Sequence, residues 1–89
     1  MMDCETIIHN LVDDIIDHKE IMIRQMPTEN PKEVFLMIFS DPEDTARLIG
    51  RKGIIADALR EVMSIAGKKE NKRIILKFES FEDTEKDED

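Results

Sequence analysis

Glycine is scarce in this chain. There are three in 89 residues, and two of them stand three apart in Leu48-Ile49-Gly50-Arg51-Lys52-Gly53. Helix signals lie on both sides. Upstream, Asp41-Pro42-Glu43-Asp44 is a helix start: Asp41 or Ser40 caps, Pro42 suits the first turn, and the acids suit the positive helix end. That helix ends around Ile49. Downstream, Ile54, Ile55, Ala58, Leu59, Val62, Met63 and Ala66 form one helical stripe, with Gly67 as the expected stop. A glycine-bracketed turn between two helices is thus the strongest constraint on the fold. Glycine lacks Cβ, so such a turn adopts positive φ and lets another backbone come close. The following helix aims amides and a positive dipole at that place. Arg51 and Lys52 add two full charges at the tip, and a phosphodiester backbone fits all three features. A plain helix–helix turn capped by Gly50 accounts for the glycines alone.

The remaining elements follow from periodicity and turn chemistry. Ile7, Ile8, Leu11, Val12, Ile15 and Ile16 predict an amphipathic helix over 5–18, with Asp3 as its cap candidate. Residues 20–26 and 33–39 read as strands, joined through a Pro27–Lys32 loop as a hairpin. Residues 73–78 read as a third strand after a charged loop. From Glu79 the chain is acidic, with Phe81 as its one apolar residue, and such a segment does not offset its own ordering entropy. The prediction is one α+β domain over 1–79, in the order α-β-β-α-α-β with helices on a three-stranded sheet, and a disordered acidic tail over 80–89.

The net charge of −8 hides a segregation. Residues 1–46 carry three bases and eleven acids; residues 47–77 carry nine bases and three acids; residues 78–89 carry one base and seven acids. Salt screens charges beyond about 8 Å at physiological strength, so the basic middle segment keeps a local field of its own. The longest apolar run, Val34 to Phe39, is far too short to span a membrane, and the acidic N-terminus does not resemble a signal peptide. With a single cysteine, Cys4, no internal disulfide forms, and a cytoplasmic location is expected. The chain has no Trp or Tyr and four Phe, which counts against reading bases by aromatic stacking.

Context sharpens the turn. A strand, two helices flanking Ile-Gly-x-x-Gly and a further strand resemble the KH domain, and the helix and strand ahead of that core resemble its type II arrangement, whose sheet is mixed. Pro42-Glu43-Asp44, Arg47-Leu48-Ile49-Gly50, Gly53, Ala56, Ala58-Leu59-Arg60 and Gly67-Lys68-Lys69 look like the small bacterial single-KH RNA-binding proteins of the KhpA type. Ile54 and Asp57 depart from that group, where both positions tend to be basic; Ala46 replaces a frequent glycine, and the acidic tail is extra. The resemblance implies a non-enzymatic module that binds single-stranded RNA of about four nucleotides, acting as an RNA chaperone or post-transcriptional regulator, with no cofactor. Gly50, Arg51, Lys52 and Gly53 would clamp phosphates; Ile49, Ala56 and Leu59 would line an aliphatic groove; Arg47, Lys72 and Arg73 would flank the RNA. It further implies avidity from a homodimer, or a heterodimer with a KH-containing protein of the KhpB type.

Two other readings stand beside this one. A KH fold with little RNA affinity would serve as a protein–protein adaptor, which Ile54, Asp57 and the overall acidity favour. A DNA-binding helix-turn-helix shares the outline but has strands on either side. Cys4, His9 and His18 match no zinc spacing. The resemblance also implies that Leu36 and Ile38 face inward, so that Phe35, Met37 and Phe39 look outward beside Met22 and Ile75; such a patch points to a partner, the alternatives being a reversed parity or a tail that covers it. The acidic tail reads either as a solubilising extension or as an RNA mimic competing for the basic segment.

Overall fold

The computed structural model describes residues 4–17 and 20–81. The order is α1 (Cys4–Val12), β1 (Met22–Met26), β2 (Glu33–Ser40), α2 (Pro42–Ile49), a tight turn Arg51–Gly53, α3 (Ile54–Lys68) and β3 (Arg73–Ser80). The sheet order is β1-β2-β3; β1 and β2 run antiparallel, β2 and β3 parallel. This is the α+β order and mixed sheet expected from the sequence.

Alternation along the strands decides which face the helices cover. Leu36 and Ile38 of β2 and Leu76 of β3 are buried, and they pack with Ile8, Val12, Leu48, Leu59 and Met63 from the helices. The expected parity of β2 therefore holds. Phe35, Met37 and Phe39 point to the other face and are half-buried. Their cross-strand partners Met26, Arg24 and Met22 on β1, and Ile75, Lys77 and Glu79 on β3, share that face.

Several element ends differ from the sequence reading. The first helix stops at Val12, where Asp13 and Asp14 place acids at the negative helix end, an unfavourable position. Ile15 and Ile16 instead donate their amides to the Val12 carbonyl in a turn that carries Ile16 into the core. Asp41 occupies the cap position of α2 but makes no side-chain cap bond. Gly67 does not stop α3: the helix runs to Lys68, and the left-handed residue beyond it is Asn71, at φ 60°. Gly67 is glycine for another reason, since an added Cβ would lie 2.6 Å from the Lys72 carbonyl oxygen and 2.7 Å from Ile74. The last strand runs to Ser80, which is buried, two residues beyond the strand expected over 73–78. Ser80 pairs with Ser40 across the parallel ladder. There Thr45 Oγ1 lies 2.6 Å from Ser40 Oγ and donates towards the Glu79 carbonyl at 3.3 Å, tying the start of α2 to both strand ends. Asp3, His18 and the tail from Glu82 to Asp89 lie outside the described residues.

Candidate nucleic-acid interface

The turn between α2 and α3 has three residues at positive φ: Gly50 at 75°, Lys52 at 57° and Gly53 at 80°. The two glycines serve different ends. At Gly50 an added Cβ would run into the Ile55 side chain and sit 3.0 Å from the Ile55 amide nitrogen, so this glycine is demanded from within. At Gly53 an added Cβ would meet nothing within 4 Å. Its conformation needs glycine, while the space above it faces outward. Lys52 is held left-handed without being glycine, a conformation that costs on the order of 1–2 kcal/mol and so marks a stored constraint. Backbone bonds pin the turn, Gly50 donating to the Ala46 carbonyl at 2.9 Å and Gly53 to the Gly50 carbonyl at 3.1 Å.

Charge at the turn is unopposed. Arg51 and Lys52 are exposed, and neither is ion-paired among the described residues. Asp57, the acid that departs from the resembled group, pairs with Arg60 at 3.3 Å rather than with the turn. Arg60 also reaches the Leu76 carbonyl with Nε and Nη2 at 3.4 Å and lies 5.6 Å over the Phe78 ring, bridging α3 to β3. Sequence reasoning did not single it out as a site residue; its i+3 spacing from Asp57 was the available signal.

Ala56 and Leu59, in the first two turns of α3, are buried. Ile49 is half-buried, so of the three proposed groove residues it keeps the most surface for a base. Ile54, at the head of α3, is 66% exposed.

Arg47 is placed differently from the expectation. Its guanidinium lies 2.8 Å from Asp44, 3.2 Å from Asp17 and 3.9 Å from Glu43. Asp44 is fully buried and also accepts the Asp17 amide at 3.2 Å. Arg47 thus pairs with a buried carboxylate and ties the turn after α1 to α2, while its side chain keeps 37% of its surface exposed. Lys72 and Arg73 are also set apart. They sit at the far end of α3, about 20 Å from the turn by the rise of a fifteen-residue helix. There they line a cavity of about 300 Å³ with Lys32, Lys68, Asn30, Asn71 and Glu33. Lys72 Nζ donates to the Pro31 carbonyl at 3.1 Å, and Arg73 lies 3.9 Å from Glu33. The larger cavity, about 340 Å³, lies among Cys4, Gln25, Val34, Leu36, Gly67 and Ile74, away from the turn.

His9 pairs with Asp13 at 3.6 Å on the surface of α1. Among the described residues no group of His, Cys, Asp and Glu is arranged to hold a metal ion, and no helix is long and apolar enough to cross a membrane.

Comparison with known proteins matches this geometry to a family. The family model of the KhpA/KhpB KH domain matches residues 5–78. The RNA-binding protein KhpA of Clostridium acetobutylicum is 36% identical over 74 residues, covering 83% of this chain and 92% of its own length. KhpA of Aquifex aeolicus is 32% identical over 65 residues, 73% of this chain and 81% of its own. KhpA of Listeria monocytogenes is 32% identical over 74 residues, 83% and 96%. No solved structure matches. KH domains of this kind are binding modules and not enzymes. The fold, the glycine-bracketed turn and a match over nearly the whole described chain agree, and the protein belongs to the KhpA/KhpB KH-domain family.

Proposed function

We propose that this protein is a cytoplasmic single-stranded RNA-binding protein that grips the RNA backbone through Gly50–Gly53 and acts as an RNA chaperone or post-transcriptional regulator. The carrying observation is the pairing of an outward-open Gly53 with two exposed cations, Arg51 and Lys52, that no carboxylate among the described residues opposes. Backbone amides and point charges suit phosphates, and the sparse aromatic content suits a module that holds bases by aliphatic contact. The names of its relatives as RNA-binding proteins support the same reading.

A module with so few contacts gains from pairing. The most exposed large apolar side chains include Ile54, Val62 at 41% and Ile65 at 62%, which together with Ala58 form a stripe on the outer face of α3. Phe35, Met37 and Phe39 on the sheet are less exposed. The α3 stripe is therefore the surface we assign to a second copy or a KhpB-type partner.

The test is a titration of a single-stranded RNA pool against the wild type and Arg51→Asp/Lys52→Asp. The expected result is at least a tenfold loss of affinity at 0.1 M salt. The slope of log affinity against log salt should also flatten by about 0.7 for each phosphate contact removed. Equal affinity of both proteins, with an intact fold, returns the chain to the adaptor reading.

A further inference from the structure

The helices cover one face of the sheet, and the chain leaves β3 on the other. Phe81, the first residue beyond β3, stacks on Phe39 with ring centroids 6.3 Å apart and planes within 14°. Phe39 belongs to the uncovered face, so this contact places the Phe81 ring on that face, opposite the side on which α2, the Gly50–Gly53 turn and α3 lie. Three rows continue from this anchor. The first is Met22, Phe39 and Glu79; the second Arg24, Met37 and Lys77; the third Met26, Phe35 and Ile75, with Glu33 and Arg73 beyond. The face is thus apolar along its middle and flanked by Arg24 and Lys77, neither ion-paired among the described residues. Its acids are Glu79, beside the anchor, and Glu33, which lies 3.9 Å from Arg73.

The segment that follows Phe81 carries six acids and one base in residues 82–89. Strand rise puts the Met37 row about 7 Å and the Phe35 row about 13 Å from the Phe39 row. Eight residues reach at most about 28 Å, ample to cross both. Chain direction, reach and charge complementarity point to the same occupant. We propose that the acidic segment 82–89 docks on the open face of the sheet, anchored by Phe81 on Phe39 and held by Arg24 and Lys77. It shields the Met22–Met26–Phe35–Met37–Ile75 surface and leaves the Gly50–Gly53 turn free. This assignment does not depend on RNA binding, and it opposes the reading of the tail as an RNA mimic.

Methionine methyl groups report on it directly. In ¹³C-methyl spectra, removing residues 82–89 from the full chain should shift Met22, Met26 and Met37 while leaving core Met63 in place. A spin label at Glu85→Cys, in a Cys4→Ser background, should broaden those three methyls and the Arg24 and Lys77 amides at low salt. The broadening should weaken at 1 M salt, where the screening length falls to about 3 Å. Unchanged methyls on truncation, or broadening centred on Gly50–Gly53, overturns the proposal. So does a concentration dependence of the three methyls that is the same with and without the segment, which would make a second copy the occupant.

Discussion

The two ends of α3 are both basic and both carry a glycine, and they use these residues in opposite ways. At the C-terminal end Gly67 is closed over: a Cβ there would strike the Lys72 carbonyl and Ile74. Lys72 donates to the Pro31 carbonyl, and Arg73 lies near Glu33. At the N-terminal end a Cβ on Gly53 would meet nothing within 4 Å, and among the described residues Arg51 and Lys52 have no carboxylate partner. The lesson is that a glycine or a cation marks a ligand site only where the protein itself leaves it unused. Glycine pressed against its own chain serves packing, and a paired cation serves the fold.

Three variants sharpen this contrast. The largest effect is expected at the closed end. Gly67→Val forces two methyls into the α3–β3 contact and should cost about 3 kcal/mol in chemical denaturation, at the upper end of overpacking effects. The folded fraction should keep its RNA affinity. A stable Gly67→Val protein would mean that the α3–β3 contact is looser than described. Next comes Arg47→Leu, which removes the charged partner of the buried Asp44 and leaves its bond from the Asp17 amide. Loss of a hydrogen bond to a charged group should lower unfolding stability by about 2 kcal/mol, with RNA affinity per folded molecule changed less than threefold. An undiminished stability with a large affinity loss would return Arg47 to the RNA site. The smallest effect belongs to Lys72→Ala/Arg73→Ala, for which filter binding should show less than a threefold loss at 0.15 M salt. A loss as large as that of Arg51→Asp/Lys52→Asp would make the two basic ends one continuous site.

How much of this was legible from the residues depends on the range of the interaction. The element order and the turn at Gly50–Gly53 follow from local signals: helical stripes, β-branched runs and two glycines with a fixed spacing. The parity of β2 does not, because Val34 to Phe39 is apolar without interruption, and it came from the resemblance. The role of Arg47 was not legible in the same way. Its partners Asp44 and Glu43 are local, but Asp17 lies thirty residues away, and only the fold brings the segment after α1 against α2, where Asp17 meets Arg47 and the buried Asp44. Lys72 and Arg73 were placed beside the RNA by the resemblance, and the fifteen-residue helix that separates them from the turn in space is not a local signal at either residue. Gly67 read as a stop because helix ends favour glycine, and nothing local announced the close approach of β3. The end of α1 did carry a signal, since Asp13 and Asp14 are poor residues for a helix C-terminus. Phe81 carried one too, as the single apolar residue of an acidic stretch.

Amide chemical-shift mapping during titration with a short single-stranded RNA tests the account where it is most exposed. The largest changes should fall on Gly50, Arg51, Lys52, Gly53 and the first turn of α3, with the Lys68–Arg73 end and the open sheet face nearly still. A map centred on the Lys68–Arg73 end or on the β1–β2–β3 face, with the turn unmoved, would contradict it.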